Sequence, residues 1–531
     1  MSDAARVRGL FARPGAATAA VPPPGTRRPP GACGQVAAVL ALRLAALRGP
    51  ARRRALVGMA LLPLSAVAVI VVAATAPQQD SFTVNLLAPS AWLFFLVSSM
   101  VAAATGAGGR QLLTRDQAVA FPLSPAADHL GALLAAPLNI AWSLQALTLL
   151  GLMAWLVHVS SGLWAALLLT LAWIVTCTAI AQAAGWVVEL VRTTALGVWA
   201  VRTVVVAAAA AAAAVALTGH VAAALDAAPT QPIVAAASRA GHGKGMGDLA
   251  GYLALLAAIT TAAWHAGTRL VGLLHRRPAL QQARGETTPR RRRPVAATPL
   301  LAHLRVDHAG VWRSAPLRRG IAALGVIPGA AAAASGLDWS MVALLPGLVA
   351  SGAGLLFGVN AFALDGPGAL WRETLPGSPR TMFAARVLVI GEVCVAGGLV
   401  ALVAAALRSG APSTAQACAV AGAFVATTTQ VVARCAEWSV DRPYAAALRE
   451  ARDQPAPPAA MAGYSARLAV ATTTTGLLYT FLARGDLAAT SMLVTCAFVL
   501  LSGRRLSRAA RRWNDHGART RVLATVAGAR V

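Results

Sequence analysis

Charge is scarce in this chain of 531 residues: only 12% are Asp, Glu, Lys or Arg, against roughly a quarter in soluble globular proteins. Acidic groups are scarcer still, with 19 against 46 basic ones. Histidines are scattered, and neither an HExxH run nor a carboxylate pair is present, which argues against a metal-dependent or acid–base hydrolase. Of six cysteines, Cys33 lies near the amino terminus, and Cys177, Cys394, Cys418, Cys435 and Cys496 sit inside apolar runs. None forms a CxxC pattern, so a redox or zinc motif is excluded and they read as small apolar helix residues. No GxxxxGK[ST] phosphate loop exists, since the glycine-rich run Gly241–Gly245 is too short and is not followed by Ser or Thr. ATP chemistry would therefore need a partner. Residues 1–35 contain no apolar core, so a cytoplasmic disordered tail is expected there rather than a secretory signal.

What the chain has instead is apolar length. Fifty-seven per cent of residues are hydrophobic, the mean hydropathy is +0.64, and runs of 18 or more apolar residues recur throughout. Each such run can cross a hydrocarbon core of about 30 Å as a helix. The expected fold is all-α: a polytopic membrane protein with about twelve transmembrane helices. The spans are placed at 55–76, 88–109, 129–156, 162–190, 203–225 and 249–270, then 321–337, 340–362, 382–407, 416–438, 466–484 and 486–503. The formal charge of +27 raises the question of nucleic acid, but the arginines lie in tails and alternate loops without aromatic stacking residues. No nucleic-acid partner is expected. With both termini in the cytoplasm, only Arg239, Lys244, Arg408 and Arg484 fall outside, which leaves 42 of 46 basic residues inside. That bias is the positive-inside pattern of a plasma-membrane protein, and adding or dropping one span would destroy it.

Ordered internal matches divide the chain into two related six-helix halves, at 55–274 and 321–503. A cytoplasmic segment 1–54 precedes them, a basic linker 275–320 carrying Arg290–Arg293 joins them, and a basic tail 504–531 follows. Arg48-Gly-Pro-Ala-Arg-Arg53 matches Arg313-Ser-Ala-Pro-Leu-Arg-Arg319, with Pro50 and Pro316 separated by 266 positions. Phe121-Pro122-Leu123-Ser124-Pro125 matches Leu375-Pro376-Gly377-Ser378-Pro379 at 254, and Gln182 and Glu189 match Gln430 and Glu437 at 248. Order is kept while the offset shrinks, as duplication followed by loop shortening would produce.

The Pro-x-Ser-Pro elements are the sharpest local signals. Proline fixes φ, and Ser124 or Ser378 can accept a bond from a backbone N–H to start the next helix. Each element thus forms a stiff cytoplasmic corner, either a helix cap or an elbow through which a motor moves helices. Arg110-Gln-Leu-Leu-Thr-Arg-Asp116 with its following corner, and Asn360-Ala-Phe-Ala-Leu-Asp365-Gly-Pro-Gly368 with the second, resemble the permease subunits of type-2 ATP-binding-cassette exporters, over about residues 40–505. The resemblance implies a permease paired with a separate ATPase, a dimer that binds the ATP, with no cofactor in this chain. It also implies coupling segments at 110–128 and 363–381, so that Phe121, Pro122, Ser124, Pro125, Leu375, Pro376, Ser378 and Pro379 form the ATPase-coupling corners. An amphipathic connecting helix maps onto 35–50. Gly377 departs from the pattern, which has a branched apolar residue there.

Inside the spans, Glu392 is the most informative acid, because a central carboxylate costs about 2.5–3.5 kcal/mol unless paired, protonated or facing a cavity. With Asn139 and Asn360 it forms the candidate transport path, although interhelical bonding accounts for such groups equally well. Ion-coupled secondary transport is the main alternative and would call for more intramembrane carboxylates. A membrane enzyme acting on lipid-linked substrates is a weaker one, for want of catalytic groups.

Overall fold

The computed structural model describes residues 31–46, 50–77, 81–105, 123–138, 140–192, 194–276, 296–375, 377–445 and 455–528. All regular structure among these residues is helical. The first part comprises α1 (Ala32–Ala46), α2 (Pro50–Thr75), α3 (Ser81–Thr105), α4 (Pro125–Ala135), α5 (Ile140–Val157), α6 (Leu163–Arg192), α7 (Ala195–Leu217), α8 (Val221–Asp226), α9 (Thr230–Gly241) and α10 (Met246–His275). The second comprises α11 (Pro299–Arg313), α12 (Ala315–Ser335), α13 (Trp339–Val342), α14 (Leu345–Leu356), α15 (Ala369–Arg372), α16 (Pro379–Ala406), α17 (Thr414–Asp441), α18 (Pro458–Arg484), α19 (Ala488–Asn514) and α20 (His516–Ala527).

Among the described residues, six helical stretches are long and apolar enough to cross a membrane: α6, α10, Trp339–Leu356, α16, α17 and α19. Their outward faces carry large apolar side chains, such as Leu493 at 72% and Leu500 at 67% exposure, a surface that water would not tolerate but hydrocarbon would. The described residues of the expected spans are largely helical, but not always as one helix. The stretch 129–156 is broken at the 3₁₀ turn Ala136–Leu138, where Pro137 cannot donate to the preceding turn. The stretch 340–362 is divided between α13 and α14, with Pro346 in the first turn of α14, and beyond Leu356 it passes into a 3₁₀ segment, Gly358–Leu364. α12 is closed by Gly336 in the left-handed region, whose φ of 56° suits a residue without Cβ.

One packing order recurs along the chain. α2 lies on α5 as α12 lies on α16; α3 lies on α6 as α14 lies on α17; α6 lies on α10 as α17 lies on α19. Gln182 and Gln430 are both buried on α6 and α17, and Glu189 and Glu437 are both half-buried about two turns further along the same helices. The first core gathers around Trp92, Met153, Leu169 and Leu256, with Trp92 and Trp173 stacked at 5.6 Å between ring centroids. A second gathers around Phe357, Ile390, Val431 and Leu468.

Three helices lie where loops or tails were expected. α9 packs its buried Ile233, Val234 and Ala237 against α6 and α3. α11 occupies the last part of the 275–320 linker and packs on α16. α20 folds back from α19 and buries Val522, Leu523 and Val526. Arg290–Arg293 lie outside the described residues.

Candidate functional site

Both corners begin helices as their sequences require. Ser124 caps α4, its hydroxyl accepting from the Ala127 N–H at 3.2 Å, and Pro125 occupies the first turn. Ser378 caps α16 in the same way through Thr381 N–H at 3.3 Å, with Pro379 following. Phe121, Pro122 and Pro376 lie outside the described residues, as does 110–120. Leu375 is partly exposed, at 37%.

Each corner is also held from outside by the helix that precedes α2 or α12. The Gln35 side-chain oxygen on α1 accepts from the Ser124 backbone N–H at 2.9 Å, while Val36 and Val39 bury against Ala127. At the second corner, α11 approaches Gly377 so closely that a Cβ there would meet His303 Nε2 at 2.9 Å and the Pro299 ring at 3.3 Å. Gly377 also has φ of 145°. These two facts explain why a branched residue is absent at this position: neither the backbone nor the space permits one. α1 covers residues 35–46 of the surface helix expected at 35–50, of which 47–49 lie outside the described residues and Pro50 begins α2, whereas the sequence did not point to α11 as its counterpart.

The second corner rests on a buried group of four charges. Arg372 from α15 and Arg386 from α16 face Asp307 from α11 and Asp365 from the turn before α15; the four side chains are at most 7% exposed. Arg372 donates to both oxygens of Asp307, at 2.9 Å through Nη2, and to Asp365 at 2.7 Å. Arg386 donates to the two oxygens of Asp365 at 2.9 and 2.8 Å and pairs with Asp307 at 2.8 Å. It also donates to the Ala361 carbonyl, and its guanidinium lies 5.6 Å from the Phe362 ring centre. The four charges cancel, which makes their burial tolerable. Burial pushes the Asp307 carboxyl up, but Arg386 and Arg372 more than reverse this and hold it below the usual carboxylate range. Burial, aided by Arg372, lowers His303.

The 3₁₀ segment over this group is pinned by polar side chains. Asn360, buried and out of helical conformation, donates through its amide to the carbonyls of Tyr444 and Pro455 at 2.7 and 2.8 Å. The Ser439 hydroxyl accepts from Ala361 N–H at 2.8 Å and donates to the Gly358 carbonyl at 3.1 Å. From the far side, Trp513 stacks on Phe362 at 4.2 Å between centroids and donates to the Pro379 carbonyl at 2.9 Å. Arg519 on α20 pairs with Glu373 at 2.6 Å. Five parts of the chain therefore converge on residues 358–379.

The other sequence candidates lie apart from this centre. Glu392 accepts from or donates to His308 of α11 at 2.5 Å, and both side chains are about half exposed. Asn139 lies outside the described residues. At the first corner the position equivalent to Arg386 is Ala132, which is buried, and the one equivalent to Phe383 is His129, which accepts from Trp186 Nε1 at 3.0 Å. Among the described residues, no three His, Cys, Asp or Glu side chains come together as a metal site.

Regular structure that is all-helical among the described residues, helices long and apolar enough to cross a membrane, and helix-starting corners clamped by the helices before α2 and α12 define the structural class. No protein-family model, curated protein or solved structure matches the chain.

Proposed function

We propose that the chain is the twelve-span permease subunit of a type-2 ATP-binding-cassette exporter, two six-helix halves driven by a separate cytoplasmic ATPase. The observation that carries this reading is the repeated corner. In both parts a Ser-Pro cap starts a helix, the 11-residue α4 in the first and the 28-residue apolar α16 in the second, and is clamped by the helix that precedes α2 or α12. Such a unit converts a push on a cytoplasmic surface into movement of one helix against its neighbours, which suits a motor-driven transporter. The recurring packing order supports the duplication. The reading places both termini and the linker in the cytoplasm of the cell membrane and leaves the permease without ATP chemistry.

Two experiments test it. The purified chain should neither bind nor hydrolyse ATP, and transport should appear only when a partner ATPase is added. Sustained hydrolysis by the chain alone would reject the assignment. For topology, single cysteines at Ser413 and Lys244, both exposed, should react with an impermeant maleimide in intact cells, and one at Thr288 should not. Labelling at Thr288 would overturn the span count. Secondary transport draws on the titratable His308–Glu392 pair, and it predicts collapse of transport by a protonophore when ATP is held constant.

A further inference from the structure

A cavity of about 630 Å³ opens between α17 and α18, beside Phe498 of α19 and apart from both corners. Its two ends differ chemically. One holds Arg434 and Arg467, one from each helix. The rest is lined by Val470, Leu478 and Phe498, with the Gln430 side chain, which accepts from Thr475 at 3.3 Å, at its inner wall. Val470 is 65% exposed, so the apolar part opens sideways rather than into the core.

The arginine end is short of partners. Arg434 Nε is buried without a hydrogen-bond acceptor, and Arg505 adds a like charge nearby. Arg467 lies over the Trp438 ring at 5.2 Å, with Arg442 on the same ring at 4.3 Å. Among the described residues, neither Arg434 nor Arg467 forms an ion pair with a carboxylate. A guanidinium with a free buried N–H is satisfied best by a multidentate anion such as a phosphate diester. The side opening, at the same time, fits a chain that stays in hydrocarbon.

We infer that this groove binds an anionic phospholipid, its phosphate on Arg434 and Arg467 and an acyl chain along Val470, Leu478 and Phe498. The charge distribution places the arginine end on the cytoplasmic side, so the lipid comes from the inner leaflet. The inference rests on the permease reading only for the placement of α17 and α18 in the bilayer. It needs neither ATP nor export.

The full chain is reconstituted into phosphatidylcholine nanodiscs containing phosphatidylglycerol with a photoreactive acyl chain, and adducts are mapped by mass spectrometry. Adducts on Val470, Leu478 or Phe498 should exceed those on Val204 and Val206 of α7, a stringent control because these exposed apolar residues lie close to Arg202 in sequence but do not line the groove. Arg434→Gln with Arg467→Gln should lower groove labelling at least about tenfold, the effect of losing a charge-assisted hydrogen bond. Val470→Trp fills the groove from its exposed side, should leave the core intact, and should also abolish labelling. Equal labelling by photoreactive phosphatidylcholine would overturn headgroup recognition. Labelling no higher than on α7, or protection by inorganic phosphate as complete as by unlabelled phosphatidylglycerol, would overturn the lipid site. ATPase dependence is read in a different assay, so either result leaves it standing.

Discussion

Replacing Arg386 by Met should destabilise the protein by about 3–5 kcal/mol, because two buried carboxylates are then left to share Arg372 alone. Asp307→Leu should do comparable damage in the opposite sense, leaving two guanidiniums to share Asp365. Combining the two changes restores neutrality and retains the Arg372–Asp365 pair at 2.7 Å. The double variant should therefore be more stable than the sum of the single losses allows, by an interaction of order 0.5–3 kcal/mol. Unfolding midpoints of the full chain in micelles measure this, and strictly additive losses would show that the four charges do not act as a unit. The acid side gives an independent reading. Asp307 has a folded pKa below its unfolded value of about 3.9, so its contribution is present above that pH and is lost as pH falls through the folded value. His303 is also lowered, so below about pH 6.5 the unfolded chain binds a proton that the folded chain resists, and stability declines there first. His303→Gln should remove the upper step, and Asp307→Leu the lower.

The four-charge group shows where sequence reading stops. The Ser-Pro corners were legible because a cap is local: the residue that accepts and the N–H that donates are three positions apart. Asp307, Asp365, Arg372 and Arg386 come from four places, and in an arginine-rich chain each looks like a solvated surface charge. One signal was available. Arg386 lies four residues inside an apolar stretch, where an unpaired guanidinium is expensive, so a carboxylate had to be sought. The helical content and the apolar periods were legible for the same reason as the caps. Breaks at Pro137 and Pro346 were visible as prolines, but their effect depends on whether neighbouring helices re-satisfy the freed backbone. α11 and α20 were missed because their burial depends on partners up to about 150 residues away, including Glu373 for Arg519. Asn360 was noted for its polarity, and the structure gives that polarity two backbone carbonyls to hold.

On the proposed permease function, the largest effect is expected at the corners, where replacing both prolines of one corner by Gly should uncouple ATP hydrolysis from export. Pro125 and Pro379 occupy the first turns of α4 and α16, where a fixed φ is already helical and no N–H is lost. Glycine at these positions keeps the caps possible but frees the backbone, so a push is absorbed by the turn instead of reaching the helix. The two corners should differ in degree. At the second, Pro379 also offers its carbonyl to Trp513, and Gly377 is boxed in by His303 and Pro299, so neighbours restrain the turn even without the prolines. At the first, the Ser124 N–H donates to Gln35 and Asp128 of the first turn pairs with His275 of α10 at 3.2 Å, but Ala132 stands where Arg386 stands in the second, so a buried charge group like that of the second corner is absent among the described residues. Pro122→Gly with Pro125→Gly should therefore reduce export per hydrolysed ATP more than Pro376→Gly with Pro379→Gly does. Insertion and protein level should change little, since both corners lie outside the apolar stretches. The measurement is export and ATPase rate on the same reconstituted vesicles, normalised to permease content. Export that falls only in proportion to protein level, with the ratio to hydrolysis unchanged in both variants, would reduce the corners to helix caps. A larger effect at the second corner than at the first would instead locate the transmission in the charge-clamped platform of α11, α16 and α20.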